Sequence, residues 1–430
     1  MSTQSDIPTT VCVLTPPGEG GIAVIEVRGP RAVEIVDAFF HSPRGLRIAE
    51  APPGKLLYGN LVRDGETLDE VVVARVAQGQ QGVLEINCHG GAVASSRVVD
   101  ALVSAGARMT TAAERLDLMR KSGTLDAIAA EAAARIPRAP TLLAATVLLD
   151  QFRGALGRGV RDIAKRAKAL ANPCGGSAEH PLALQEGGTP MTMPAGSPDS
   201  PVTEIAEELE SLLATARYGR GLIEPCRVVV TGRPNVGKST LSNALLRFER
   251  MIVHTVPGTT RDTVEDLFSV VGVPFVLVDT AGIRDARDEI EREGVARARA
   301  AALEADVTVM VLDGSESLTE EDRALLREPA ARPRVIALNK WDLPLRADMN
   351  EIPEQTRELL VRVAARTGKG IEELERRILD AAYPTRPEPG TAVIFTVRQQ
   401  ECLTEALAAA RADDAEGVSR ALDSLLHASD

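Results

Sequence analysis

The sequence predicts a multidomain protein of mixed α/β and α+β class: a parallel sheet with helices on both faces, inserted in a helical domain and preceded by a small α+β domain. Three observations carry this. The chain has 430 residues, too many for one ordinary core, and 44% apolar content to fill several. Short β-rich runs occupy the first hundred residues, and strand-length apolar runs alternate with helical spacing between Cys226 and about Pro384. Ala-rich stretches with helical spacing stand on both sides of that alternation.

In chain order, "TVCVLT", "GIAVIEVRG", "KLLYGNLV", "DEVVVARVA" and "GVLEINC" read as strands separated by Gly, Pro and Asp turns, with "PRAVEIVDAFF" helical between the second and third. This gives an α+β domain over 1–111. Helical spacing follows in "AAERLDLM", "TLDAIAAEAAARI" and "TLLAATVLLDQFRGALGRGVRDIAKRAKALA", so 112–223 reads as the first part of a helical domain. Residues 172–201 interrupt it with a Pro-, Gly- and Ser-laden segment that reads as a flexible insert. Over 224–385, "CRVVVTG", "FVLVDTAG", "VTVMVLDG", "RVIALNK" and "LLVRVAA" predict a parallel sheet with its ligand loops at the strand C-termini. The remainder, 386–430, is again helical and is expected to return to the earlier helices.

The composition narrows the classes of function. No run approaches the roughly eighteen apolar residues of a membrane span, and "MSTQSDIPTT" lacks the basic flank and apolar core of an export signal, so a cytoplasmic location is expected. Five scattered cysteines fit neither a fully paired disulfide framework nor metal-ligand spacing, and reduced thiols are expected. A net charge of -12 opposes non-specific nucleic-acid binding, which Lys and Arg supply. Within "RGALGRGVRDIAKRAKAL", however, Arg153, Arg158, Arg161, Lys165, Arg166 and Lys168 face the single acid Asp162. A solvated helix face is the ordinary reading of such a run.

The chemistry concentrates in "GRPNVGKSTLSNALL". Gly232, Gly237, Lys238 and Ser239 meet the G-x-x-x-x-G-K-[ST] spacing between a predicted strand and a predicted helix. The two glycines let the N–H groups of the loop, from Asn235 and Val236 to Thr240, turn inward on a phosphate chain, and the helix adds its positive end. Lys238 reaches the terminal phosphates and the Ser239 hydroxyl suits Mg2+. Further clusters fall on the strand ends in a fixed order. "DTAG" puts Asp279 near the metal and the Gly282 N–H near the terminal phosphate, and "PGTTRD" supplies Thr260 as a second Mg2+ ligand. In "NKWD", Asp342 accepts two hydrogen bonds from guanine N1 and N2, Asn339 serves its other edge, and the Lys340 stem covers the ring. Adenine lacks that donor pair, so GTP or GDP is the expected ligand and a P-loop GTPase domain the expected fold.

With "TPPGEGGIAVIEVRGP" and "LEINCHGG" ahead of them, "GRPNVGKST", "PGTTRD", "DTAGIRDARDEIEREG" and "NKWD" together resemble the tRNA-modification GTPases of the MnmE (TrmE) type. The resemblance covers the domain order of the whole chain and is tightest in the GTPase domain. It implies a homodimer whose GTPase domains meet across their nucleotides, with K+ acting where other GTPases use an arginine finger. Ile283 stands where many GTPases carry a water-orienting Gln, and an aliphatic side chain makes no hydrogen bond. The family pattern gives that role to Glu291, with Asp288, Glu289 and Glu293 close enough that spacing alone does not choose. Catalysis is thus expected from Glu291, Lys238 and Thr260. The K+ ligands implied are Asn235, His254, Val256 and Thr259, with Thr259 also at the nucleotide. Ala365 in "AARTGKG" falls in the last guanine-contacting loop, where Ala364 stands in place of the usual Ser.

The resemblance further implies a tetrahydrofolate derivative on the first domain, a flavin-dependent partner protein, and tRNA carrying an aminomethyl-type group at C5 of its wobble uridine. Two departures bear on this. Glu19 is acidic where a basic residue is usual, and the chain reads "SRALDSLLHASD" where the family carries a Cys followed two positions later by Gly-Lys. They set the expectation of retained GTP hydrolysis with weakened tRNA modification. A regulatory GTPase switch of the same ancestry is the alternative. Cys88, His89 and Cys402 are expected in structural roles.

Overall fold

The computed structural model describes residues 8–15, 20–76, 82–172, 201–248, 266–278, 305–328 and 332–427. They form two compact units, Met1–Asp126 and Ala127–Asp430.

The first unit is a seven-stranded sheet in the order β3-β4-β5-β6-β2-β1-β7. Its strands are β1 (Thr10–Val13), β2 (Ile22–Arg28), β3 (Phe40–His41), β4 (Leu56–Arg63), β5 (Glu66–Val76), β6 (Val83–His89) and β7 (Arg108–Met109). All pairings are antiparallel except β1 with β7. Period-two alternation turns Ala23, Ile25 and Val27 of β2 and Leu84, Ile86 and Cys88 of β6 to one face. There they pack on Ile35 and Val36 of α1 (Ala32–Asp37) and on Val98, Val99 and Leu102 of α2 (Ala92–Ser104). Each such fully buried aliphatic side chain contributes roughly 1.5–3 kcal/mol. Glu26 points to the opposite face yet is only 3% exposed, and Arg28 and Arg115 both clasp its carboxylate, Arg115 at 2.8 and 2.6 Å. Burial alone would raise the Glu26 pKa; the two guanidinium groups outweigh it and hold the carboxyl below its ordinary value. Arg115 lies on α3 (Ala112–Lys121), which Thr111 and Glu114 start with a reciprocal capping box, as the T-x-x-E spacing dictates.

The helices of the second unit are α4 (Ala127–Arg135), α5 (Leu142–Phe152), α6 (Ala155–Ala171), α7 (Pro201–Ala214) and α8 (Ala216–Gly221) before the inserted sheet. The stretch from Thr141 to Ala171 reads as one helix but is two, because Gly154 turns left-handed at φ 90°. After the sheet the chain returns as α13 (Val397–Arg411) and α14 (Ala415–His427), which pack on α7 and α6 as expected. Ile128, Leu148, Leu156, Ile163, Leu209, Leu403 and Leu425 share their core. Glu131 of α4 fastens the returning chain: its carboxylate accepts from Thr396 Oγ1, Gln399 Nε2 and Arg398 Nε.

The inserted domain is a six-stranded sheet in the order β13-β12-β11-β8-β10-β9. It comprises β8 (Cys226–Thr231), β9 (Asp266–Val270), β10 (Val273–Val278), β11 (Val307–Asp313), β12 (Arg334–Asn339) and β13 (Leu360–Arg362). The five strands expected from the sequence pair parallel; β9 adds an antiparallel edge on β10. Alternation along β11 supplies both faces. Val307, Val309 and Val311 enter a core with α9 (Lys238–Phe248) and α12 (Ile371–Ala382), whereas Met310 and Leu312 enter one with Leu326 of α10 (Glu320–Arg327) and Ile352, just before the short helix α11 (Glu354–Arg357). The chain enters this domain at Cys226 and leaves it at Tyr383, and the Tyr383 hydroxyl lies against the Cys226 thiol. The Tyr383 ring meets Tyr218 of α8 edge-on at 5.7 Å. Gly221 has no room for a Cβ, which would fall 1.9 Å from the Tyr383 hydroxyl oxygen.

Candidate nucleotide site

β8 ends at Thr231 and α9 begins at Lys238, so Gly232–Gly237 must reverse the chain in six residues at the C-terminal edge of the sheet. Gly232 does so at φ 139°, with Val311 O only 2.5 Å from where a Cβ would stand. Gly237, at φ 97°, has Asn339 Nδ2 2.3 Å from the same point. A side chain at either position collides with the neighbouring strand end. Asn235 is left-handed at φ 65° and exposed, while Val236 beside it is fully buried and anchors the loop. Lys238 folds back over the loop, donating to the carbonyls of Gly232 and Arg233, both at 2.9 Å. Ser239 and Thr240 follow in the first turn of α9, both exposed.

At the end of β12, Asn339 is buried and binds two loops at once. Its Nδ2 donates to Val236 O at 2.8 Å and its Oδ1 accepts from the Ala365 N–H at 3.1 Å. Three expected site positions thereby come together: the phosphate loop, the N-K-W-D strand end and the last loop. Lys340 is left-handed at φ 61°, and its Nζ lies 2.6 Å from the buried Asp313 carboxylate. Burial would raise the Asp313 pKa; the bonds from Lys340 and Ser315 overcome it and keep the carboxyl below its ordinary value. Asp342 stands at the mouth of the site, paired with the exposed Arg366 guanidinium at 3.1 Å. The Arg362 guanidinium lies over the Trp341 ring, 4.5 Å from its centroid.

Sequence reasoning did not single out Arg233, Asp313 or Arg366. Arg233 fills a variable position of the loop motif, but its side chain is clamped by Glu316 at 2.7 Å and by Asp322 at 3.1 Å. Burial would lower its pKa; the two carboxylates raise it above the usual range. Asp322 also caps α10 with Thr319, so one buried carboxylate starts a helix and pins the phosphate loop. Its partner lies 89 residues earlier, beyond the reach of any local pattern. His254, Val256, Thr259, Thr260, Asp279, Gly282 and Glu291 lie outside the described residues.

Comparison with known proteins agrees with this architecture. A family profile for the "GTP-binding protein TrmE N-terminus" matches residues 9–114, and one for "50S ribosome-binding GTPase" matches residues 227–340. The tRNA modification GTPase MnmE of Geobacillus kaustophilus is 34% identical over 423 residues, covering 96% of this chain and 90% of the relative. The chain belongs to the MnmE family of tRNA modification GTPases. The MnmE proteins of Lactiplantibacillus plantarum and Chloroflexus aurantiacus are 37% and 38% identical, covering 88% and 86% of this chain and 82% and 80% of the relatives. As a member of the MnmE family the chain is a GTP-binding, GTP-hydrolysing enzyme. No helix among the described residues is long and apolar enough to cross a membrane.

Proposed function

We propose that this MnmE-family chain hydrolyses GTP with K+ stimulation, by pairing the GTPase domains of a homodimer, and that the hydrolysis serves C5 modification of the tRNA wobble uridine with a flavin-dependent partner protein. Asn235 is the observation that carries the K+ reading. Its left-handed backbone and exposed side chain hold an amide oxygen at the loop surface, a hard donor of the kind K+ takes. Ile283, unable to orient a water, leaves room for the water-orienting role of Glu291.

The residues fit the ions. The Ser239 hydroxyl, exposed at the start of α9, would hold Mg2+ with Thr260, and Mg2+ there neutralises charge on the terminal phosphates. Asn235, His254, Val256 and Thr259 would hold K+. Lys238 would move from the Gly232 and Arg233 carbonyls to the phosphates and Asp342 would read guanine, with Asp279 and Gly282 assigned to the metal and the terminal phosphate. A tetrahydrofolate derivative is the one-carbon carrier on this reading, although residues 16–19 of "TPPGEGG" lie outside the described residues.

Turnover in K+ against Na+ tests the reading. The rate rises in K+, falls sharply in Glu291→Ala with nucleotide affinity nearly unchanged, and loses its cation response in Asn235→Ala, the signature of transition-state stabilisation. Equal rates in both salts would sink the K+ assignment. Complementation of a strain lacking the family enzyme, followed by nucleoside analysis of its tRNA, tests the modification.

A further inference from the structure

We propose that the outward face of α6 is a docking surface for the phosphate backbone of tRNA; this rests on the tRNA reading above. α6 buries Leu156, Val160, Ile163, Ala164 and Ala167 against the bundle. Its other face shows Arg158, Arg161, Lys165 and Lys168, all exposed. Steps of three, four and three residues confine these cations to about 80° of arc and string them over about 15 Å of helix.

Two acids beside the stripe pair with Arg166. Asp162, the one acid on α6, meets Arg166 Nε at 3.3 Å, and Arg166 also pairs with Glu208 of α7. At the start of the stripe, Arg158 Nη1 donates to Arg153 O at 2.6 Å. A Cβ built on Gly154 would lie 3.2 Å from Arg158 Nη1 and 3.8 Å from Arg161 Nη2, so two guanidinium groups flank that one turn. Lys165 and Lys168, one turn apart and exposed on that face, repel each other, and a polyanion relieves the repulsion.

The chemistry of the stripe selects its partner. A straight row of monovalent cations with no aromatic group among them grips phosphates rather than reading bases. Lys is depleted in the cores of protein interfaces, which disfavours an acidic protein. On a chain of net charge -12 the stripe is a local reversal of sign, and it directs a polyanion to this face.

The test measures binding of unmodified tRNA transcript to the full chain across a salt series, for the unaltered protein and for Lys165→Gln/Lys168→Gln. Each phosphate contact contributes a slope of roughly 0.7–0.9 in log affinity against log salt, so the variant's slope falls by about 1.5. Its affinity near 0.1 M salt falls about tenfold or more. Its GTP turnover without RNA and its thermal melting stay unchanged. Unaltered slope and affinity in the variant overturn the surface while leaving the tRNA reading standing. No tRNA binding by the unaltered chain overturns both. Intact tRNA binding with lost affinity for the flavin-dependent partner assigns the stripe to a protein and overturns the proposal.

Discussion

Asn339 donates to the Val236 carbonyl at 2.8 Å across 103 residues of sequence, and so holds the phosphate loop to the strand end that leads into Asp342. Asn339→Asp puts a carboxylate oxygen against that carbonyl in a site only 3% exposed. An unmet, charge-opposed buried contact costs about 2–3 kcal/mol, so GTP affinity is expected to fall roughly 30- to 150-fold. Calorimetric titration measures it. Undiminished affinity would show that the loop keeps its shape without the bond.

Asp342→Asn turns one acceptor into a donor, so guanine binding weakens and xanthine nucleotides are favoured. Parallel titrations of GTP and XTP compare them. Because Arg366 pairs with Asp342 at 3.1 Å, it has to yield for guanine to be read. Retained preference for GTP removes Asp342 from base reading.

Glu131→Ala strips Thr396, Arg398 and Gln399 of their shared acceptor. The site is partly solvated, with side chains 21–30% exposed, so a loss of about 2 kcal/mol is expected rather than the larger cost of a sealed ion pair. Urea unfolding with an unchanged m-value reports it, and no shift in the midpoint refutes the role.

His89 Nδ1 lies 2.7 Å from Asp69, whose hydrogen bond raises the imidazole pKa above its ordinary 6.5. Burial would raise the Asp69 pKa, but bonds from the His89 ring and N–H outweigh it and leave the carboxyl lowered. The stabilisation by His89 is therefore complete below about 6.5 and lost as pH rises through its folded value. That by Asp69 is complete above about 3.9 and lost as pH falls through its lowered value. An NMR titration should place His89 above 6.5 and return it in Asp69→Asn. Identical midpoints in the two proteins contradict the pairing.

Burial pushes the Cys226 thiol up to about 12 and the Cys88 thiol up to about 11. Neither forms appreciable thiolate at neutral pH, so both are expected to resist iodoacetamide until the chain unfolds. Peptide mapping by mass spectrometry checks this. Rapid native labelling of either would show that its core opens.

The phosphate loop and the N-K-W-D strand end were legible because each is a local device whose residue types follow from the shape of the ligand. The five parallel strands were legible as unbroken apolar runs. The antiparallel strand "DLFSV" was not, since Asp266 and Ser269 dilute its apolar signal and its place is set by Val270 and Val273 turning back on themselves. α2 was missed as well: "AVASSRVVDALVS" spends its small residues on a helix that only the sheet's apolar face justifies. The break at Gly154 hid inside a continuous helical period. Arg233 and Asp313 act through partners brought close by the fold, so no window of sequence contains them.

Cys226 and Tyr383 touch, so the folded insert offers the helical bundle two ends that are already neighbours. Closing a flexible loop costs entropy that grows with its length, but a segment that folds by itself presents only the gap between its ends. In chain entropy alone, the inserted domain costs the bundle no more than a short turn. The joint itself is packed, since Ala144 and Val147 of α5 and Tyr218 and Leu222 of α8 share a core with the sheet, so cutting the domain out uncovers them.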